Sequence, residues 1–345
     1  MKDFRTMRNA LAAGLAMAVL ILDSAAAFEG ASEGVSICIQ TVIPSLFPFF
    51  ILSSMLTGNL YGRPLRIFRP IGRFLRLPNG MESIWLTGLL GGYPTGARCV
   101  SQAYQSKFIS KNEAQRMLGF CSNAGPAFIF GMTAHIFPTM LYPCGLFMIQ
   151  ILSSMLTAVV IPSEISSRST PCKTATVSWN QAMQDALRAM GCVCGWIIAF
   201  RVILIFFERW FFFYFPNAIR IILTGLIELS NGVLYLQRME SLPWKFITCS
   251  AMLSFGGLCV AMQTQAVTEG LSMGSYLNGK LLQCAISTGI ASLSCCFLFT
   301  FSKIYVTISI ICSVFIFLIC LFTRKKTVAL SKFLMYNARK KIHAR

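Results

Sequence analysis

Long apolar runs dominate the chain, and their spacing fits helices that cross a membrane. A helix needs about 20 predominantly apolar residues to span the hydrocarbon core of a bilayer. Runs of comparable length predict eight spans, at residues 9–27, 42–60, 117–138, 140–161, 189–207, 246–267, 281–300 and 304–323. The pattern therefore predicts an all-α polytopic membrane protein with about eight spans.

Two further apolar stretches, 82–106 and 217–240, are interrupted midway by glycine, proline or an acidic residue. The first contains Gly91-Gly92-Tyr93-Pro94-Thr95-Gly96, and the second contains Glu228-Leu229-Ser230-Asn231-Gly232. Irregular backbone is tolerated at membrane depth only where it is buried or lines a wet cavity. Each stretch is therefore predicted to be a re-entrant helical hairpin that turns at its polar tip.

The two hairpins belong to an internal repeat. Leu86-Thr87-Gly88-Leu89-Leu90 recurs in the second half of the chain as Leu223-Thr224-Gly225-Leu226-Ile227. Leu118-Gly119-Phe120 resembles Leu253-Ser254-Phe255 at nearly the same offset. Three predicted spans separate the hairpins, so they would open to opposite sides of the membrane. This arrangement is an inverted-topology repeat, which many secondary transporters use to form a substrate site near the bilayer midplane.

Each repeat also carries signals for a broken transmembrane helix. The span 117–138 contains Ser122-Asn123-Ala124-Gly125-Pro126, where proline removes a hydrogen-bond donor and glycine lets the helix unwind. The span 246–267 contains Ser254, Gly256 and Gly257, followed by Gln263 and Gln265. Kinked helices that pack closely would show the same signals. The matching positions in both halves, each just after a hairpin, favour a binding site. The hairpin tips are predicted to approach the breaks at 122–126 and 254–257.

Composition and charge support a membrane location. Of the 345 residues, 55% are apolar and 12% are charged. A soluble domain carries about 25% charged residues. The net charge of +18 would suggest nucleic acid in a soluble protein, but here Lys and Arg lie between the apolar runs. With a cytoplasmic N-terminus, the great majority of the basic residues, among them Arg116, Lys280 and the tail, lie on the inner side. Because basic loops stay inside, both termini are predicted to be cytoplasmic.

The basic residues also indicate contact with the inner membrane surface. Residues 61–79 place arginines three or four residues apart, with apolar residues between them. This pattern is typical of an amphipathic segment on an anionic inner leaflet. The sequence predicts no nucleic-acid partner.

Few residues suggest metal or catalytic chemistry. The 14 cysteines lie mostly within apolar runs without a CxxC pair, and the two histidines, His135 and His343, are far apart in sequence. We predict no metal, no cofactor and no enzymatic activity. An intramembrane enzyme is the weakest of the functional alternatives, because no Ser/Lys, paired-Asp or HExxH arrangement stands out in the sequence.

At this level of detail the chain resembles the YlbJ-type sporulation integral membrane proteins. These belong to the gate (nucleoside-recognition) domain family, which includes concentrative nucleoside transporters and the membrane region of FeoB-type iron transporters. The resemblance covers roughly residues 30–300. It rests on Ile43-Pro44-Ser45-Leu46-Phe47-Pro48-Phe49-Phe50, Gly91-Gly92-Tyr93-Pro94-Thr95-Gly96-Ala97, Asn112-Glu113-Ala114 with Arg116, and Ser122-Asn123-Ala124-Gly125-Pro126.

The resemblance implies a spore-forming bacterium, with the protein in the cell membrane or the forespore membrane, and dipicolinate, an aromatic dicarboxylate, as cargo. Two departures from the family pattern argue against a sodium-coupled nucleoside site and against iron transport. Nucleoside transporters place acidic side chains at both hairpin tips, whereas this chain has Glu228 at the second tip and no acid near Tyr93. FeoB-type proteins need an attached GTPase, and the chain contains no GxxxxGK[ST] motif.

We predict a single membrane domain over residues 1–345. Residues 1–27 form a first helix or signal-like segment, and Asp23 in the small-residue end favours retention over cleavage. Residues 28–161 form the first gate repeat, 162–188 a cytoplasmic linker, 189–300 the second gate repeat, and 301–345 the last helix and basic tail.

The predicted function is secondary transport of a small organic anion, similar to dipicolinate, with H+ or Na+ as a coupling ion. Arg201, inside a predicted span, would clamp a carboxylate or else define a helix end with Glu208. Glu228 would balance Arg201 in the empty site or carry a proton as the coupling ion, or else lie in a solvent-exposed hairpin turn. Transport of nucleosides or other neutral solutes is an alternative, as is a non-transporting sporulation scaffold. An oligomer is compatible with each of these. The candidate substrate-binding residues are Tyr93, Thr95, Ser122, Asn123, Glu228, Ser230, Asn231, Gln263 and Arg201.

Overall fold

The computed structural model describes residues 2–60, 66–163 and 177–298. Within these ranges the chain is helical and contains no strand, in agreement with the predicted all-α class. A π-helical turn, Cys38–Val42, joins the second helix to the third. The α-helices in chain order are α1 (Lys2–Leu22), α2 (Ser24–Ile37), α3 (Ile43–Leu60), α4 (Arg69–Phe74), α5 (Glu82–Gly91), α6 (Thr95–Gln105), α7 (Lys111–Cys121), α8 (Pro126–Thr133), α9 (Leu141–Val160), α10 (Trp179–Trp210), α11 (Asn217–Ile227), α12 (Leu229–Tyr235), α13 (Leu242–Phe255), α14 (Gly257–Val267) and α15 (Met273–Leu298).

Four helical segments among the described residues are long and apolar enough to cross a membrane: Ser24–Leu52, Leu141–Val160, Trp179–Trp210 and Leu242–Val267. Each overlaps a predicted span. The broken pair α7 and α8, and the single helix α15, occupy two further predicted spans. The predicted span 304–323, the basic tail and residues 164–176 of the linker lie outside the described residues, so the total of eight crossings stays a prediction.

The predicted ends of two spans were wrong. The first helix ends at Leu22 and not at residue 27, because Asp23 starts a new helix by accepting a hydrogen bond from the Ala26 nitrogen at 3.1 Å. Residues 28–41, expected to be a connection, are helical, so the predicted boundary between 27 and 28 falls inside α2. Helix α10 begins at Trp179, ahead of the predicted residue 189, because Ser178 and Gln181 form a capping box.

The interruptions predicted within 82–106 and 217–240 are present. Helices α5 and α6 form a packed pair that turns at residues 92–94, and α11 and α12 form a second pair that turns at Glu228. Both breaks in the longer helices are present too. Helix α7 ends at Cys121 and α8 begins at Pro126, while Gly256, at φ +86°, separates α13 from α14.

Glycines let the two arms of each pair approach closely, and they do so at equivalent positions. In the first pair, a Cβ atom on Gly96 would lie 2.9 Å from the Gly88 Cα. In the second pair, a Cβ atom on Gly232 would lie 2.7 Å from the Gly225 nitrogen. Gly88 and Gly225 are the glycines of the repeated Leu-Thr-Gly sequence. The repeat in sequence therefore coincides with a repeated contact in the structure.

Two basic residues assigned to cytoplasmic loops are instead buried in helices. Arg116 lies in α7 and donates to main-chain oxygens of Leu75, Ala158 and Ile161, where it neutralises the C-terminal end of α9. Lys280 lies in α15 with no exposed surface. The assignment to loops failed because both residues stand at the edge of an apolar run, where a span was taken to end.

The amphipathic segment is described from residue 66 onward. There Ile67 and Phe74 are strongly exposed beside exposed Arg69 and Arg73. Apolar and basic side chains together on the surface are typical of a helix that lies against anionic lipid, and this role stays a prediction.

Candidate functional site

A small cavity lies where the turns of both helix pairs meet α3, α8, α10, α14 and the first helix break. Its volume is about 40 Å³. That is room for about three water molecules. Four of the predicted site residues line it, together with apolar side chains. The lining residues are Val42, Leu46, Leu90, Gly91, Gly92, Tyr93, Ala124, Gly125, Ala127, Phe128, Val193, Ile197, Glu228, Leu229, Ser230, Val260 and Gln263.

Each turn packs directly on a helix break. Gly92, at φ +72°, lies against the first break, where a Cβ atom on Gly125 would lie 2.9 Å from the Gly92 Cα. In the second half, a Cβ atom on Gly257 would lie 3.0 Å from the Gly225 oxygen near the end of α11. The approach of the tips to the breaks was predicted from the sequence, and the described residues confirm it.

Glu228 supplies the acidic group of the cavity. It is 1% exposed, so the structure excludes a solvent-exposed turn, which was one interpretation of the sequence. Its Oε1 accepts from the Ser230 nitrogen at 3.0 Å, and its Oε2 accepts from the Asn231 nitrogen and Nδ2, both at 2.7 Å. The side chain of Asn231 therefore holds Glu228, while Ser230 also lines the cavity.

Tyr93 connects the first turn to the break in the other half. Its hydroxyl donates to the Leu253 oxygen at 3.1 Å, and its ring lies beside Gly256, where a Cβ atom would be 3.3 Å from Cζ. A larger residue at position 256 would collide with this ring. The neighbouring Thr95 donates instead to the Gly91 oxygen at 3.2 Å and does not line the cavity.

A buried polar network joins the two breaks. Asn123 Oδ1 accepts from Gln283 Nε2 at 2.8 Å and from Gln150 Nε2 at 3.3 Å. Ser254 Oγ donates to Gln150 Oε1 at 2.9 Å, and Lys280 Nζ donates to Gln283 Oε1 at 2.7 Å. Asn123 was a predicted site residue, whereas Gln150, Gln283 and Lys280 were missed. Their signal in the sequence is a polar side chain within or beside an apolar run.

Two other predicted residues are near these groups. Gln263 lines the cavity and donates to Cys259 Sγ at 3.4 Å. Ser122 is buried at the first break, and its hydroxyl has no hydrogen-bond partner among the described residues.

Arg201 is buried but lies apart from this group. Its Nε donates to Glu33 Oε2 at 2.7 Å, and its two terminal nitrogens donate to Glu208 at 2.9 and 3.2 Å. Tyr235 also donates to Glu208, at 2.9 Å. Arg201 is not among the cavity-lining residues. The predicted balance between Arg201 and Glu228 is absent here, because Ser230 and Asn231 hold the Glu228 carboxylate.

Comparison with known proteins gives a partial match. The chain is 37% identical over 122 residues to the sporulation integral membrane protein YlbJ of Bacillus subtilis (strain 168). That alignment covers 34% of this chain and 29% of the relative. No family model and no solved structure matches the chain. The relative and the apolar helices support an integral membrane protein. Membership of the YlbJ-type family and the link to nucleoside and iron transporters stay predictions.

Proposed function

We propose that this integral membrane protein is a secondary transporter that moves a small organic anion across a membrane during sporulation. One observation carries the proposal. The turns of two helix pairs, the break between α7 and α8, and helix α14 just after the second break converge on a cavity lined by Glu228, Tyr93, Ser230 and Gln263. Transporters with inverted repeats place their substrate at such a meeting point of discontinuous helices.

The repeated contacts support the inverted-repeat part of the proposal. Each half consists of a long helix, a glycine-crossed helix pair, a broken helix and a further long helix, in that order. If the pairs are re-entrant, each one carries irregular backbone to the midplane from opposite sides. Rocking of one half against the other, or an elevator-like displacement of the helix pairs, would then expose the cavity to each side in turn.

The coupling ion would use the carboxylate in the cavity. A buried ionisable side chain at membrane depth is costly, and it marks an ion or substrate path in many transporters. Glu228 is buried and lines the cavity, and its carboxylate is hydrogen-bonded by the neutral residues Ser230 and Asn231. We assign it the binding of H+ or Na+.

The cargo follows from the resemblance rather than from the cavity volume. The cavity has a volume of about 40 Å³, which is room for only a few water molecules. A larger solute would therefore enter only after the helix pairs move. The YlbJ relative is named for sporulation, and the family resemblance implies dipicolinate. An aromatic dicarboxylate similar in size to dipicolinate is the proposed substrate class.

Uptake by the purified full-length chain in proteoliposomes tests this function. A panel of aromatic mono- and dicarboxylates and nucleosides would be offered with and without proton and sodium gradients. Gradient-dependent uptake of a carboxylate is the expected result. Uptake of nucleosides alone would favour the neutral-solute alternative, and uptake of nothing in the panel would favour a scaffold.

A further inference from the structure

The cation that would receive an anionic substrate is not Arg201, since that side chain is already neutralised. Glu33 and Glu208 both pair with its guanidinium, and the Arg201 side chain is 4% exposed. A substrate carboxylate would have to displace one of these residues. Arg201 therefore holds α2 against α10, and the positive charge for an anion must come from elsewhere.

After Arg201 and Arg116, Lys280 is the third buried cationic side chain among the described residues, and its hydrogen-bond partners are neutral side chains. Its Nζ donates to Gln283 Oε1 at 2.7 Å and to the Tyr93 hydroxyl at 3.3 Å, and it lies 5.1 Å from the centroid of the Tyr93 ring. Among the described residues it forms no ion pair. A buried ammonium without a counter-charge is strongly unfavourable, so a carboxylate that reached this position would stabilise the charged form of the amine.

The packing of α15 fixes Lys280 close to the cavity. Gly279 meets Gly119 of α7 so closely that a Cβ atom on Gly119 would lie 3.2 Å from the Gly279 Cα. This contact keeps the next residue inside the molecule. Tyr93 touches the Lys280 amine with its hydroxyl and lines the cavity. One side chain thus separates the amine from the cavity.

The hydrogen bonds around Lys280 leave its amine one N–H donor for a new partner. The Tyr93 hydroxyl donates to a main-chain oxygen, and the Gln283 amide nitrogen donates to Asn123. An ammonium has three donors, and two of them have partners here. A carboxylate that entered beside Tyr93 would take the remaining donor.

We propose that Lys280 is the anion-binding residue of the transporter, and that a substrate carboxylate pairs with its amine when Tyr93 moves aside. This inference rests on the proposed function and names its charge-recognition group. Arg201 then has a structural role in the same molecule.

The test compares Lys280→Met, Lys280→Arg and Lys111→Gln in the purified full-length protein. Lys111 is an exposed lysine at the start of α7 and serves as the control for loss of one positive charge. The probes are pyridine-2,6-dicarboxylate and its neutral diamide. Binding would be measured by ligand-induced thermal shift, and transport by uptake into proteoliposomes.

We expect Lys280→Met to weaken binding of the diacid at least about tenfold, because a charge-assisted hydrogen bond is lost. Diamide binding should change little. The ligand-free variant should melt at the same temperature as the wild type or higher, because a methionine removes an uncompensated buried charge without leaving a large void. Lys280→Arg should keep part of the diacid shift, and Lys111→Gln all of it.

Other outcomes separate the two proposals. Wild-type-like diacid binding by Lys280→Met, with wild-type transport intact, would overturn the role of Lys280 and leave the transporter standing. Equal loss of both probes with a lower melting temperature would also overturn it, since that pattern belongs to a structural lysine. Absence of carboxylate uptake in the wild type itself would overturn the proposed function.

Discussion

Two buried cations show how the partners of a side chain decide its role. Arg201 and Lys280 have similar burial, but two carboxylates face the first, and a tyrosine and a glutamine face the second. The sequence singled out Arg201 because it stands inside an apolar run. It missed Lys280 because that residue stands at the edge of one, and its partners Tyr93 and Gln283 are identified only after folding.

The first prediction concerns Arg201. Arg201→Gln should destabilise the protein by about 1–3 kcal/mol, between the values for exposed and fully buried pairs, because Glu33 and Glu208 lose their common partner. Thermal unfolding in detergent measures this. Combining it with Glu208→Gln should recover part of the loss, since one unpaired charge is removed. If Arg201→Gln kept its stability but lost anion binding, Arg201 and not Lys280 would be the anion-binding residue.

A second prediction concerns Glu228. In Glu228→Gln, uptake down a substrate gradient should continue. Its dependence on a proton or sodium gradient should disappear, because the amide cannot take up the coupling ion. The amide oxygen can still accept from the start of α12, so the fold should survive. Glu240→Gln, at an exposed position, is the matched control. Uptake that stays equally coupled in both variants would remove Glu228 from the mechanism.

At the scale of the elements, interruptions were predictable and helix ends were not. Gly92, Pro126 and Gly256 each interrupt an apolar run, and each marks a turn or break in the structure. The N-terminal extensions of α2 and α10 depend instead on local caps at Asp23 and Ser178. Such caps extend a helix through polar residues that a hydropathy pattern assigns to a loop.

A third prediction concerns Gly88 of α5, which packs on the end of α7. Gly88→Ala should destabilise the protein by about 1–3 kcal/mol, because its Cβ would collide with the Cys121 oxygen at the first break. Gly191→Ala in α10 is the control, since a Cβ atom there meets nothing within 4 Å. This control change should stabilise the helix by about 0.5–1 kcal/mol. Chemical or thermal unfolding of both variants measures the difference, and equal stability would show that α5 does not pack this closely on the end of α7.

At the scale of the whole molecule, charge predicts orientation. Excluding the buried Arg116 and Lys280 leaves the asymmetry of basic residues strongly one-sided. Pro70→Cys, in the basic segment, should stay unlabelled by an impermeant thiol reagent in intact cells. Tyr214→Cys, at an exposed position between α10 and α11, should react. Both variants require a cysteine-depleted background. The opposite labelling pattern would invert the topology.

The cavity is also a property of the whole molecule, because its walls come from residues far apart in the sequence, such as Tyr93 and Glu228. The sequence predicted that these polar tips meet, since repeats that pack against each other bring equivalent positions together. It could not predict the bonds that join Asn123 to Gln150 and Gln283, because many polar residues in apolar runs bond only within their own helix.

Solute counterflow tests the central claim most directly. Proteoliposomes that contain the full-length chain would be preloaded with unlabelled pyridine-2,6-dicarboxylate and diluted into a trace of the labelled compound. A carrier that alternates between two sides should accumulate label transiently above equilibrium, and Lys280→Met should reduce this overshoot at least about tenfold at limiting substrate. Absence of overshoot in the wild type, with the protein folded and inserted, would contradict the account.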